Sequence, residues 1–412
     1  MKLILRILVS WLVLTVLFTA AVVAVFAIPD SAIEEGLRQS VQQVSPGNKI
    51  FTTSIGPVQP FKLGTFSDCL ILGIAGSADN DHPLQAAMND IFPTLDGSPV
   101  KGVQQMVANP DNQHLQPVVY SRYWHGNQVI IKPLLCVTTI NGIRAINWVL
   151  LSALLLMLLA VMWRRTGRAS AMIVTLGLAA VMVPSVPMCL NYVPTFYIAL
   201  SASLGILCWK TATANKSNTV ILFFIIGATT TFLDLLTTPM VALAVPLMVY
   251  MLYKRPESAW GTVITLSLAW LAGYASLWAT KWVLSALITG HAALEDAMGA
   301  VTQRTVGHGE QEYMMWCLKM NAVALTAVVV TAATVIAVFG KSRDALRRNS
   351  WMLLVAMSSF VWTFVLLEHT WHHLHFTWRT YVVLAIGVML FMWHTLDIRH
   401  PLSLMKEHKR SS

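Results

Sequence analysis

The apolar run at residues 7–28 most constrains what this chain can become. Crossing a hydrocarbon core of about 30 Å takes roughly 20 residues of helix, and this run supplies them. Comparable runs recur at 146–162, 172–186, 196–209, 220–233, 241–253, 263–288, 320–339, 352–367 and 381–395. In lipid the backbone must satisfy its own polar groups, so each run predicts an α-helix. The expected fold is therefore an all-α integral membrane protein with about ten transmembrane helices. Only 11% of residues are charged, against about 25% in an ordinary soluble domain. That excludes a soluble globular chain.

The formal charge of +9 does not point to nucleic acid. The basic residues sit in short clusters between the apolar runs: Lys2 and Arg6; Arg164, Arg165 and Arg168; Lys210 and Lys216; Lys254 and Arg255; Lys341, Arg343, Arg347 and Arg348; and the tail at 399–410. With the N-terminus inside, every cluster falls on the cytoplasmic side, as the positive-inside bias requires. Both termini are then cytoplasmic, and the expected location is the cytoplasmic membrane, crossed many times. A cleaved signal peptide has an apolar core of only about 7–15 residues. Although Ala27 is a tolerable cleavage residue, the first run predicts a retained helix.

This divides the chain into a first transmembrane helix (1–28), a large extracytoplasmic loop domain (29–145), a multi-helix transmembrane bundle (146–398) and a basic cytoplasmic tail (399–412). Within the loop, Ile33, Leu37 and Val41 recur at helical spacing. Residues 79–96, rich in Asp, Asn and Pro, predict irregular backbone, and 129–135 predict a short interfacial helix. Cys69 and Cys136 fall in or beside the large loop and could pair in an oxidising compartment. Cys189, Cys208 and Cys317 are ordinary small apolar residues of helices. There is no C-x-x-C pair and no tandem repeat.

The topology gathers unusual residues on one side. Asp68, Asp79, Asp81, Arg122, His125, Asp234, Arg304, Glu368, His369, His372, His373, His375 and Arg379 all fall on the outer face or at outer helix ends. Ionisable groups at membrane depth are costly and mark function by default. Each also has a plainer role. Asp68 is a base with a burial-raised pKa or a helix cap. Asp234 binds substrate or caps a helix. Lys281 snorkels to the interface or holds a phosphate as a point charge. Arg304 is solvated or binds. In the segment 120–126, Arg122 supplies a planar fork for phosphate, and Tyr123 and Trp124 offer flat faces to sugar rings or to the interface. In the histidine run, His369 and His373 share a helical face, as do Glu368 and His372. That set suits a transition metal, or, with Arg379, a phosphate or sugar hydroxyl. No H-E-x-x-H order is present.

Tyr120-Ser-Arg-Tyr-Trp-His-Gly126, Pro133-Leu-Leu135, Ile143-Arg-Ala-Ile-Asn147, Phe232-Leu-Asp-Leu-Leu-Thr-Thr-Pro239, Trp278-Ala-Thr-Lys-Trp282 and His369 through Arg379 resemble an uncharacterised family of bacterial multi-pass membrane proteins, over most of the chain. The architecture resembles the GT-C glycosyltransferases: a retained first helix, a large first outer loop with acidic residues, then a bundle. The resemblance implies a first-loop carboxylate as base and a polyprenyl-phosphate sugar as donor, with a cell-envelope glycan, lipid or protein as acceptor. This chain lacks an Asp-Asp or Glu-Asp pair after its first helix. The base role therefore falls to Asp68, with Asp79 and Asp81 as substitutes. Arg122, Tyr123, Trp124, His125, Asp234, Lys281, Arg304, His369, His373 and Arg379 are the expected substrate-binding residues. No metal ligand is assigned, though a divalent metal cofactor is left open. A flippase or transporter of lipid-linked saccharide would carry ionisable residues into the inner halves of the spans, where none stand. A transferase of acyl or phosphoethanolamine groups would use a Ser or Thr nucleophile beside a metal.

Overall fold

The computed structural model describes residues 2–44, 61–290, 292–306 and 343–396, with the side chains of Val306 and Arg343 left aside. The expected span at 320–339, Cys317 and the basic tail at 399–410 lie outside the described residues. Helix accounts for 78% of the described residues and strand for 3%, so what is described is mostly helical.

Five helical stretches are long and apolar enough to cross a membrane: α1 (Lys2–Phe26), α7 (Ile140–Arg165), α10 (Lys216–Leu233), α12 (Ala259–Thr289) and Leu374–Thr395. Four more expected spans coincide with shorter apolar helices: α8 (Arg168–Met182), α9 (Val193–Cys208), α11 (Pro239–Lys254) and Trp351–Val365. The environment of each follows from its burial. α1 leaves Leu5, Leu8, Leu12, Val16 and Leu17 more than half exposed. So wide an apolar face belongs against hydrocarbon rather than water. α11 is apolar on every side and nearly all buried, the pattern of a central post.

A very close crossing joins α10 to α12. A Cβ built on Gly227 would stand 2.0 Å from the Trp270 carbonyl oxygen, and one on Gly273 would stand 2.0 Å from that of Phe224. The two backbones touch because both residues lack a side chain, the small-residue device of membrane helix pairs.

The described residues 30–44 and 61–135 fold together as a head domain at one end of the bundle. It contains α2 (Asp30–Gln43), α3 (Thr65–Gly76), α4 (Pro83–Asn89), β1 (Phe92–Thr94), α5 (Pro99–Ala108), β2 (Gln116–Val118) and α6 (Gln128–Leu135). Its core includes Ile33, Leu37, Ile71, Leu72, Val103 and Ile131. The helical spacing in α2 and the short helix α6 match their sequence patterns. Residues 79–96 are not irregular throughout. Pro83, whose fixed φ suits a first helical position, begins α4, and Asp90 ends it in the left-handed region at φ 49°. β1 then pairs antiparallel with β2, Phe92 opposite Val118. Three-residue strands are too short to show a period-two pattern. Cys69 is a buried free thiol and Cys136 an exposed one, so the two do not pair.

A candidate anion and saccharide site at the head-domain end

The segment 120–126 is pinned to α12 by backbone acceptors. The Trp124 indole donates to the Leu277 carbonyl at 2.8 Å, and the Trp282 indole to that of Arg122 at 3.0 Å. Gly126 N–H donates to Phe232 O at 2.9 Å, and a Cβ on Gly126 would lie 2.5 Å from that oxygen. His125 takes φ 47° to make this turn. Beside it, Lys281 Nζ donates to Asp90 Oδ2 at 2.7 Å, Ala87 O at 2.7 Å and Met88 O at 3.3 Å. An ammonium carries three donors, and all three are satisfied within the chain. Both members of the pair are fully buried, and burial lifts the Asp90 carboxyl to about 7.

With the segment fixed, its aromatic groups meet residues from distant elements. The Tyr123 ring lies 5.3 Å from Tyr120, 5.3 Å from Trp278 and 5.9 Å from His125. Arg304, on α13 (Ala293–Val306), donates to the Tyr123 hydroxyl at 3.1 Å. Arg122 stacks over Tyr120 at 4.4 Å and pairs with Asp296 of α13 at 2.9 Å. Burial raises the Tyr123 phenol against the pull of Arg304. Burial, helped by the charge on Lys281, holds the His125 imidazole well below its ordinary range.

Asp234 ends α10. Its carboxylate accepts from the Thr237 N–H at 3.0 Å and from the Thr237 hydroxyl, and burial raises it to about 7. This tight turn puts Leu236 at φ 64° and presents its carbonyl to His369 Nε2 at 2.8 Å. The His369 ring lies tilted 4.7 Å from His373, and His373 stacks on Phe376 at 5.0 Å. The charge of Arg304 acts on both histidines, and that of Lys62 acts on His373 and His375. Arg304 thus meets Tyr123, the Asp234 turn meets His369, and His369 meets His373, although these residues span most of the sequence.

The remaining expected residues stand elsewhere. Asp68 is fully buried in α3. Its Oδ1 accepts from Leu190 N–H at 2.8 Å and its Oδ2 from Arg144 at 3.3 Å. It therefore joins α3 to α7 and to the loop before α9, and burial lifts its carboxyl to about 6 against the pull of Arg144. It lies inside the first turn of α3, where Gly64 is the cap residue. Asp79 is exposed and paired with His82 at 2.9 Å, which lowers its pKa. Asp81 is exposed beside it. Arg379 is buried, donating to Val181 O at 3.2 Å and His375 O at 3.0 Å, and lies over Tyr192 at 4.6 Å.

Sequence reasoning gave no role to Asp90, Asp296 or Lys62, and gave Glu368 a place on the outer face and, with His372, in a set suited to a transition metal. On the helix Leu367–His372, Glu368 Oε1 lies 3.4 Å from His372 Nε2, while its Oε2 is buried without a hydrogen-bond partner among the described residues. The i, i+4 spacing to His372, visible in the sequence, is the contact observed. Among the described residues, no group of three or more His, Cys, Asp or Glu side chains is placed to hold a metal ion. Comparison with protein-family models, with curated proteins and with solved structures returned no match.

Proposed function

We propose that this chain is a membrane glycosyltransferase. It moves a sugar from a polyprenyl-phosphate donor to a cell-envelope acceptor at the extracytoplasmic face, where the head domain stands. One observation carries this reading: Arg304 donates to Tyr123 in an aromatic wall (Tyr123, Tyr120, Trp278) at the head-domain end, and its charge reaches the His369–His373 pair. A guanidinium suits a phosphate oxygen pair, and flat aromatic faces suit a sugar ring.

In the reaction the bond between sugar C1 and the phosphate oxygen breaks as the acceptor oxygen bonds to C1. The phosphate leaves with the electron pair, held by Arg304 with Lys62 nearby. The acceptor hydroxyl gives its proton to a carboxylate. Both Asp68 oxygens already accept hydrogen bonds, and Asp79 and Asp81 stand in solvent. Glu368 has an unpartnered buried oxygen on a helix that packs against α13, so it is the better base. Asp234 holds the turn that places His369.

The test uses purified protein in lipid with a panel of polyprenyl-phosphate sugars and an envelope extract as acceptor, scoring free polyprenyl phosphate with and without a chelator. Release from one donor, reduced about 10²–10⁴-fold in Glu368→Gln, supports the reading. No release from any donor that binds would overturn it and favour a flippase. Loss on chelation would show that a divalent metal takes part.

A further inference from the structure

A second site lies at the opposite end of the bundle from the head domain, and no step of the proposed reaction uses it. Trp260 begins α12, and Lys281, 21 positions on, meets Asp90 of the head domain. At 1.5 Å per residue that separation is roughly 32 Å, about the thickness of a hydrocarbon core. Exposed tryptophans gather at this far end on other elements too: Trp163 near the end of α7, Trp209 after α9 and Trp393 near the end of Leu374–Thr395. Such rings settle where hydrocarbon meets headgroups. The end they mark is the one expected to face the cytoplasm.

At this boundary a cavity of about 690 Å³ opens between the α11–α12 turn and the short helix Arg343–Asn349. Arg255, Arg347 and Arg348 line it, together with Glu257, Trp260 and His394. All three arginines are exposed, so a ligand can reach them. None of the three guanidinium groups has a hydrogen bond or ion pair among the described residues. Other cations at this end are committed. Arg6 donates to Asn218 at 2.9 Å, Arg165 donates to the Tyr253 hydroxyl at 3.1 Å, and Lys254 lies over Tyr253 at 5.1 Å. His394 meets Ser170 at 3.2 Å. The frame of the cavity is held by the Trp260 indole, which donates to the Ser350 hydroxyl at 2.8 Å. Arg255 ends α11 in the left-handed region at φ 49°, where glycine is the usual residue. Three guanidinium groups against one carboxylate, set in a concavity, concentrate positive potential there.

We propose that this cavity binds the phosphate of an anionic glycerophospholipid from the adjacent leaflet. The guanidinium groups call for a phosphate, whose oxygens they can hold in pairs. Two further observations say that it arrives on a lipid. Trp260 sets the cavity at headgroup depth. From Trp260 an exposed apolar stripe, Ile264, Leu268 and Leu271, runs along α12 at helical spacing, a track for an acyl chain. A soluble phosphate would use the charge and neither of these features. Basic pockets between membrane helices on the cytoplasmic side suit lipid headgroups for the same reason. The inference does not rest on the glycosyltransferase reading.

The test is photo-crosslinking of the full-length protein in phosphatidylcholine vesicles holding a trace of phosphatidylglycerol with a diazirine on its headgroup. The expected result is saturable labelling of the peptides 251–260 and 343–352. Unlabelled phosphatidylglycerol displaces the probe, and neither inorganic phosphate nor further phosphatidylcholine does. Arg347→Gln with Arg348→Gln lowers labelling about ten- to a hundredfold, the range that one charge-assisted hydrogen bond supplies. Lys210→Gln with Lys216→Gln removes the same charge from that end outside the cavity and leaves labelling of these peptides nearly unchanged. Mapping and competition on the wild type decide the matter if the arginine variant fails to fold. Equal loss in the two double variants overturns the inference, because it would show diffuse attraction to the surface. Displacement by inorganic phosphate also overturns it, in favour of a soluble ligand. So does labelling spread evenly over the basic segments of this end.

Discussion

The Lys281–Asp90 pair offers a quantitative test of how the head domain is held. Both side chains are fully buried at 2.7 Å. Removing one partner of a buried ion pair costs about 3–5 kcal/mol, because the other charge stays behind without compensation. Lys281→Met leaves a carboxylate facing the Ala87 and Met88 carbonyls. Asp90→Asn leaves an ammonium with those two carbonyls only; Asn tolerates the left-handed backbone there, so no new strain enters. Each single variant is expected to lose about 3–5 kcal/mol. Independent sites would give the double variant about 6–10 kcal/mol by simple addition. Removing both charges together eliminates the unpaired group, so the double variant should lose only about as much as one single. The assay is equilibrium unfolding in mixed micelles of increasing SDS fraction, read by tryptophan fluorescence, with proteolysis at 77–98 as a local probe. Additivity within about 0.5 kcal/mol would refute the argument that Lys281 is committed to Asp90 and would return it to phosphate binding.

Other expectations follow from the same geometry. Asp68 rises from its ordinary 3.8 to about 6 on burial, about 3 kcal/mol at 1.36 kcal/mol per pKa unit. A raised carboxyl binds its proton more tightly when folded, so its stabilisation is complete below pH 4 and is lost as pH rises through 6. Asp68→Asn should flatten that fall across pH 4–6 in the same unfolding assay, and an unchanged profile would remove Asp68 as its source. Arg304→Ala should weaken donor binding by about tenfold or more, as expected for loss of a charge-assisted hydrogen bond of about 1.5–3 kcal/mol. Tyr123→Phe should act more mildly, and equal binding by wild type and Arg304→Ala in a donor titration would move the phosphate site elsewhere. Gly227→Leu should cost at least about 1–3 kcal/mol by overpacking, because the obstacle is the Trp270 backbone rather than a side chain. Native yield after purification would show it, and a well-folded Gly227→Leu protein would mean that α10 and α12 are farther apart than described.

The helices were legible because lipid leaves the backbone few options, and apolar length alone marks them. The segment 120–126 and Lys281 were legible as oddities, since charge and stacked aromatic groups are rare in such a chain. Their partners were not. Asp90 follows an ordinary helix-ending Asn89, and nothing local shows that it meets a lysine 191 positions on. Asp68 stands at the edge of an apolar stretch, which reads equally as a desolvated base or a structural anchor. Arg144 and Leu190, distant in sequence, give it the second setting.

The attachment of the head domain to α12 also sets an order in time. Trp124 must wait for the Leu277 carbonyl, 153 residues later in the chain. At roughly 5–20 residues per second of synthesis, that delay is roughly 8–30 s. Throughout it Asp90 is a solvated acid without its lysine, and the indole of Trp124 has no acceptor on α12. The nascent head domain is therefore most vulnerable to proteases and chaperones in that interval, and a slow seventh span would prolong it.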